Sequence, residues 1–381
     1  MSDRVLFVDD DPKILAAFQR QLRKKVTIET VESGAEGLEA LRRNGPFSVV
    51  VTDYCMPSMN GIEFLGRARK IAPETVRMLL TGSADLGAAI QAVNQGNIFR
   101  FLTKPCSPDN LLEAVQTGIY EYRRTHKERK FNKRSRRWLA QAMEVQQNLL
   151  PRGGSVWDGL DIAGKSLFCD QTGGDYYDYF EKPGSASRAV SIVAGDVSDH
   201  GLPSALLMTT ARAFLRECTS RPGSVSTVVE QVNRQLTHDV QSSGRFMTLF
   251  YAELDRQDRS IRWARAGHDP ALVYDPRSGD FDELGGQGGL PLGVFGEARY
   301  EEYHRELSTG QLLVIGTDGI WEARNGEGRM FGKLLLQQMI RANAVRPAAE
   351  IVEKVLEALK QFLFPLDLQD DATLVVVKVE D

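Results

Sequence analysis

Apolar residues nowhere run long enough to cross a bilayer as a helix, and Met1 is followed almost at once by the strand-like Val5-Leu6-Phe7-Val8. A membrane span and a secretory leader are therefore not expected, and a cytoplasmic protein is. Cysteine is sparse: Cys55, Cys106, Cys169 and Cys218 are scattered, without a CxxC pair or a histidine cluster. That excludes a disulfide framework and leaves reduced thiols as the plain expectation. A surplus of one charge is missing too, since 47 Lys and Arg face 51 Asp and Glu for a net charge of −4. Bulk binding of nucleic acid is disfavoured by that balance. What is present is the composition of a soluble globular protein, 42% hydrophobic and 26% charged. Its 381 residues suffice for two or three domains.

Four acidic turns stand out against this background. Val190-Ser191-Ile192-Val193 reads as a buried strand that ends in Gly195-Asp196-Val197-Ser198. Pro203 then sits just inside the start of a helix. Asp175 lies in Gly173-Gly174-Asp175-Tyr176-Tyr177-Asp178, Asp318 follows the strand Val314-Ile315-Gly316, and Asp370-Asp371 precede Leu374-Val375-Val376-Val377. Singly, each is an ordinary turn, because Asp and Gly favour turns. Together they supply the oxygen donors that hard divalent cations prefer.

The segments Gly174-Asp175-Tyr176-Tyr177-Asp178, Gly195-Asp196-Val197-Ser198, Ala266-Gly267-His268-Asp269-Pro270, Leu290-Pro291-Leu292-Gly293, Thr317-Asp318-Gly319 and Asp370-Asp371-Ala372-Thr373 follow one another in a set order. They resemble the motif set of the SpoIIE-type PPM (protein phosphatase 2C-like) phosphatases, over roughly the last three-fifths of the chain. The resemblance implies an α+β sandwich of two sheets flanked by helices. It implies removal of phosphate from phosphoserine or phosphothreonine in proteins, with two Mn²⁺ or Mg²⁺ ions. It also implies Asp196 bridging the metals, the Val197 carbonyl, Asp175 and Asp318 as further ligands, and Asp370 as the last, with Asp371 the alternative. His200 falls where a proton donor to the leaving oxygen would be, or is a turn residue bonded to backbone. Asp199 stands where the family usually has Gly.

In the first third, short strands end in chemistry. Val5 to Val8 runs into Asp9-Asp10, Val49 to Thr52 into Asp53, Met78 to Leu80 into Thr81, and Phe99 to Thr103 into Lys104. Helical periodicity marks Ile14 to Leu22, Ala35 to Leu41 and Leu86 to Val93 between them. This alternation predicts a doubly wound parallel sheet with its ligand site beyond the strand carboxyl ends. Asp9 and Asp10 suit Mg²⁺, Asp53 suits a phosphoryl nucleophile, and Thr81 and Lys104 suit phosphoryl oxygens. The set resembles the flavodoxin-like receiver domain of two-component response regulators. The resemblance implies Asp53 as phospho-acceptor, the Cys55 carbonyl as a metal ligand and a sensor histidine kinase as partner. It matches Phe101 to the family's rotating aromatic switch, although ordinary core packing accounts for that residue equally well.

From Ile119 to Trp138, nine Lys or Arg face only Glu121 and Glu128, with no Gly or Pro. No reading helix or interleaved aromatics accompany this basic run, so nucleic acid is not the expected partner. A charged helix is. One heptad seam can be drawn through Val115, Ile119 and Tyr122, and another through Leu139, Ala142, Gln146 and Leu149, out of register by one. The helix is either a plain linker or a transmission element that pairs with a second chain as a homodimer. The expected domains are 1–122 (receiver), 123–150 (helical linker) and 151–381 (phosphatase). The expected function is a response regulator whose phosphatase output is switched at Asp53, acting on an anti-sigma factor antagonist. The alternative is an adaptor that binds a sigma or anti-sigma factor through a PPM fold without turnover.

Overall fold

A computed structural model describes residues 3–82, 98–182, 189–241 and 243–380. The chain forms two units, Met1–Arg136 and Arg137–Asp381. The expected helix from Leu86 to Val93 lies outside the described residues.

In the first unit, β1 (Arg4–Val8), β2 (Thr27–Val31), β3 (Val49–Asp53), β4 (Val76–Thr81) and β5 (Arg100–Thr103) form a parallel sheet in the order β2-β1-β3-β4-β5. This is the flavodoxin-like order. Side-chain alternation divides the core between two faces. Val5, Phe7, Val49, Val51 and Met78 pack with Leu15 and Phe18 of helix Pro12–Leu22 and with Leu111 and Val115. Leu6, Val8, Val50 and Leu79 pack with Leu38 and Leu41 of helix Gly34–Arg43 and with Phe64 and Leu65 of helix Gly61–Ile71. That last helix had been legible only as a turn. Asn60 is in fact its cap, its side chain accepting from the Glu63 amide at 2.9 Å. β2 was missed because Thr27-Ile28-Glu29-Thr30-Val31 is an edge strand without a buried face.

The charged segment belongs to one helix, Pro108–Leu149. Here the proposed seams need correction. Val115, Ile119 and Tyr122 are buried within the core of the first unit and cannot meet another chain. Gln146 is also buried, turned toward Gly173.

The second unit holds two antiparallel sheets. One runs β14 (Tyr303–Glu306), β11 (Ser260–Ala266), β10 (Met247–Asp255), β9 (Ala189–Val197), β8 (Tyr176–Glu181). The other runs β13 (Asp280–Leu284), β12 (Ala271–Asp275), β15 (Leu312–Gly316), β16 (Ala372–Val379), β7 (Leu160–Leu167), β6 (Ser155–Trp157). Phe168 lies one residue past β7. Tyr177, Val193 and Phe250 of the first sheet share a core with Ile162, Ile315, Val375 and Val377 of the second. Helices Leu202–Thr219 and Val225–Val240 add Met208, Leu215 and Val228 to it. On the outer face of the second sheet, Val314, Leu374 and Val376 pack with Ile340 of helix Gly332–Asn343 and Val355 of helix Ala348–Leu363. Fully burying each such side chain stabilises by roughly 1.5–3 kcal/mol. The result is the four-layer α+β sandwich.

Candidate functional site

Two polar sites lie at strand ends, one in each unit. In the first, parallel strands bring Asp9, Asp53, Thr81 and Lys104 to one edge of the sheet. Asp9 and Asp53 are buried while Asp10 is exposed, and potential ligand oxygens of the three lie within 4.8 Å of one another. Lys104 Nζ reaches Asp53 Oδ1 at 2.6 Å and Asp9 Oδ2 at 2.9 Å. Asp53 Oδ2 accepts from the Cys55 amide at 3.2 Å. Burial raises the Asp53 pKa, and Lys104 only partly opposes it. For Lys104 burial works the other way, but its hydrogen bonds to Asp53 and Asp9 prevail and hold its pKa up. Thr81 is fully buried and donates to the Gly82 carbonyl at 3.2 Å. Phe101 is half-buried against the core face that holds Leu79 and Phe64.

In the second unit the acids converge from four strand ends. Asp196 is the penultimate residue of β9, Asp175 immediately precedes β8, Asp318 opens a single helical turn after β15, and Asp370-Asp371 precede β16. Asp175 is 1% exposed. Its Oδ2 accepts from Thr317 Oγ1 at 2.8 Å, whereas its buried Oδ1 has no protein partner. A buried carboxylate oxygen left without a donor is costly unless a cation meets it. Asp318 and Asp196 line a cavity of about 50 Å³, and Asp318 and Asp370 line another of about 270 Å³. Burial pushes the Asp196 pKa up to about 8, with Asp318 and Asp370 adding to it. Asp175 is raised well above the ordinary range by burial, then by Asp196 and Asp371. Asp318 is raised by burial, then by Asp370. Such mutual repulsion fits an assembly meant to share cations.

Asp371 is placed differently from Asp370. Its Oδ1 accepts from the Cys169 amide at 2.9 Å and its Oδ2 from the Gly174 amide at 2.7 Å. Asp370 is exposed, with Oδ1 taking the Asp371 amide at 2.8 Å. The Asp371 backbone also explains Gly319: a Cβ there would lie 1.9 Å from the Asp371 carbonyl oxygen.

His200 lies on the turn after β9, 57% exposed, with Nδ1 2.7 Å from Asp170 Oδ2. That bond raises its pKa above 6.5. Asp199 adopts φ 64°, in the left-handed region, and lies 3.6 Å from Arg245. So the residue standing for the usual Gly keeps the Gly conformation and gains a cation neighbour.

Several participants had not been assigned a role. Asp170 is separated from His200 by 30 residues, and no local pattern marks the pair. Thr317, quoted only as part of a motif, also accepts from the Thr373 amide at 2.9 Å, so one hydroxyl joins Asp175 to β16. His268 is buried between Thr248 Oγ1 at 2.8 Å and the Gly316 carbonyl at 3.1 Å. The carbonyl requires Nε2–H, so Nδ1 accepts from Thr248. Burial pushes its pKa down to about 4, leaving a neutral brace. Gln146 holds Gly173 from both sides, Nε2 donating to the carbonyl at 2.6 Å and Oε1 accepting from the amide at 3.2 Å.

Comparison with known proteins covers both units. Residues 186–380 match the family described as Stage II sporulation protein E (SpoIIE), and residues 5–116 match the response regulator receiver domain. The Phosphoserine phosphatase RsbU of Bacillus subtilis (strain 168) is 29% identical over 237 residues, covering 62% of this chain and 68% of that protein. The Hydrogenase transcriptional regulatory protein HoxA of Cupriavidus necator is 36% identical over 122 residues, 31% of this chain. Only 25% of that regulator's own length is spanned. Among solved structures, the SiaA-PP2C domain of Pseudomonas aeruginosa matches with a TM-score of 0.56 at 23% identity, over 65% of this chain and 98% of that one. The RsbU and RsbW domains of a Mycobacterium tuberculosis protein match with a TM-score of 0.50 at 24% identity, over 60% of each chain. Both structural likenesses are to the fold. Among the described residues no helix is long and apolar enough to cross a membrane.

Proposed function

Since the chain belongs to the Stage II sporulation protein E (SpoIIE) family and joins that domain to a response regulator receiver domain, we propose that it is a receiver-controlled, metal-dependent protein serine/threonine phosphatase. The observation that carries this is the buried, unpartnered Asp175 Oδ1 amid three further carboxylates. Asp175, Asp196, Asp318, Asp370 and the Val197 carbonyl hold two Mn²⁺ or Mg²⁺ ions, which when bound make water nucleophilic at neutral pH and screen the phosphoryl charge. Asp370 is preferred over Asp371 as the last ligand because both Asp371 oxygens already accept backbone amides. Thr317 fixes Asp175, and Asp371 fixes the Gly174 amide before it.

Hydrolysis breaks the bond between phosphorus and the seryl oxygen, and that oxygen must gain a proton. His200 supplies it from Nε2, with Nδ1–H held by Asp170, which raises the imidazole pKa and so favours its charged, donating form. In the receiver, Asp9, Asp10, Asp53 and the Cys55 carbonyl hold Mg²⁺. The Asp53 carboxylate attacks the phosphorus of a sensor-kinase phosphohistidine, forming an O–P bond as the P–N bond breaks and the imidazole leaves, while Lys104 and the Thr81 hydroxyl take phosphoryl oxygens. The likeness to the Phosphoserine phosphatase RsbU supports a phosphoserine protein as substrate; the proposed one is a phosphorylated anti-sigma factor antagonist, and the proposed location is the cytoplasm.

The test is hydrolysis of an aryl phosphate and a phosphoserine peptide by the full chain with Mn²⁺, with and without beryllofluoride on the receiver. Turnover that disappears with chelator and changes with beryllofluoride is expected. Intact mass with a small phosphodonor should show one phosphoryl group on the wild type and none on Asp53→Asn; a label surviving in the variant would place the acceptor elsewhere.

A further inference from the structure

Beside the Asp196 site lies a second group of donors of different chemistry. Cys169, Asp170 and His200 each present one ligand atom, and the three lie within 4.8 Å of one another. Cys169 and Asp170 sit in the loop after β7, where no strand alternation turns neighbouring side chains to opposite faces, and His200 sits on the turn after β9. In a tetrahedral site with bonds of about 2.0–2.3 Å, ligand atoms stand roughly 3.5 Å apart. The trio lies within 4.8 Å and would have to close by about an ångström to reach that spacing. Asp170 and His200 are exposed and Cys169 is half-exposed, so an ion in solution has access.

Donor type distinguishes this group from its neighbour. The Asp196 site offers carboxylates and a carbonyl, which suit Mn²⁺ and Mg²⁺. Sulfur with imidazole and one carboxylate suits a borderline-soft ion, Zn²⁺ above all. Burial pushes the Cys169 thiol up to about 12, and the negative field of Asp371, Asp170 and Asp370 acts in the same direction. A bound cation would offset that field and take the thiolate.

We propose that Cys169, Asp170 and His200 form a regulatory zinc site with an open fourth position, occupied separately from the two-metal centre. Its consequence rests on the function proposed above: zinc on the imidazole removes the proton His200 would give to the leaving oxygen, so occupancy inhibits. The zinc site itself stands independently of turnover.

Co²⁺ reports thiolate ligation by an intense sulfur-to-metal charge-transfer band in the near ultraviolet. Titration of the metal-stripped full chain with Co²⁺ should produce that band, and Zn²⁺ should abolish it. Cys169→Ser leaves the backbone amide bond to Asp371 in place and should lose the band, with Asp170→Asn weakening Co²⁺ binding at least about tenfold. Circular dichroism checks that both variants fold. In the phosphatase assay with saturating Mn²⁺, Cys169→Ser should retain basal turnover and need at least about tenfold more Zn²⁺ for half-inhibition. Absence of the band in the wild type, or its persistence in Cys169→Ser, overturns the site. A band with unaltered zinc sensitivity in Cys169→Ser overturns inhibition through it. Failure of Mn²⁺ turnover in every protein counts against the proposed function and leaves the Co²⁺ result to decide the site.

Discussion

Asp196 is the residue on which chemistry and stability oppose each other most directly. Its carboxylate is largely buried and faces Asp318 and Asp370, so ionising it without a cation is unfavourable. Asp196→Asn is expected to lower Mn²⁺-dependent turnover by more than about a hundredfold, since an amide cannot bridge two cations. The same change should stabilise the metal-stripped protein at neutral pH. With its pKa raised from 3.8 to about 8, the folded state binds a proton more tightly than the unfolded one. That contribution is fully present below about pH 4 and is lost as pH rises through about 8, on the order of a few kcal/mol shared among coupled acids. Melting temperature in chelator should therefore fall across that window in the wild type and fall less in Asp196→Asn. Equal slopes would mean that Asp196 is not the strained acid. Such acids were legible in the sequence because a β-branched run ending in Asp beside Gly marks the point where a strand leaves the core. Asp170 was not, because its pairing with His200 arises only where two loops converge. Arg245, 46 positions beyond Asp199, was hidden for the same reason.

At the scale of elements, the helix Pro108–Leu149 shows what sequence periodicity conveys and what it leaves open. Its helicity followed from composition, but which face packs could not. Val115, Ile119 and Tyr122 look equally suited to a partner chain and to their own domain, and the parallel sheet takes them. Gln146 likewise reads as a tolerable polar seam position until Gly173 is brought beside it. Both ends of its amide are used there, next to the loop that carries Gly174 and Asp175. Gln146→Ala would leave a buried amide and carbonyl unpaired, a cost of about 1–3 kcal/mol for each group. Turnover should fall with an increased Mn²⁺ requirement, because the loop that presents Asp175 loses its fixed position. Gln146→Glu, which can accept from the Gly173 amide but not donate to its carbonyl, should be intermediate. Metal titrations of activity for the three proteins check this, and an unchanged Mn²⁺ requirement would detach the helix from the site. β2 and helix Gly61–Ile71 escaped notice for simpler reasons, the one being a polar edge strand and the other beginning with Gly.

At the scale of the whole molecule, the proposed phosphorylation of Asp53 needs a route by which to affect turnover at Asp196. The proposed homodimer needs a seam, and the exposed apolar residues of the helix supply one in a different place from the two first drawn. Phe131 (65% exposed), Trp138 (51%) and Val145 (63%) recur every seven residues. Ser135, Ala142 and Leu149 occupy the intervening positions four residues on, so the stripe carries no charge over nearly three heptads. Arg129 does not interrupt it, being 3.3 Å from Glu74 in the receiver unit. A seam this short, with Ser and Ala at two of its positions, gives weak pairing, which a modest change in the receiver can shift. Light scattering should show a shift from monomer toward dimer when beryllofluoride is added to the wild type, together with a change in phosphatase rate. Phe131→Glu combined with Val145→Glu places like charges across the seam and should keep the protein monomeric under both conditions. Its rate should no longer respond to beryllofluoride, while its Mn²⁺-dependent basal turnover remains. If the rate still responds in a strictly monomeric variant, pairing is not the route, and the signal passes along one helix within one chain.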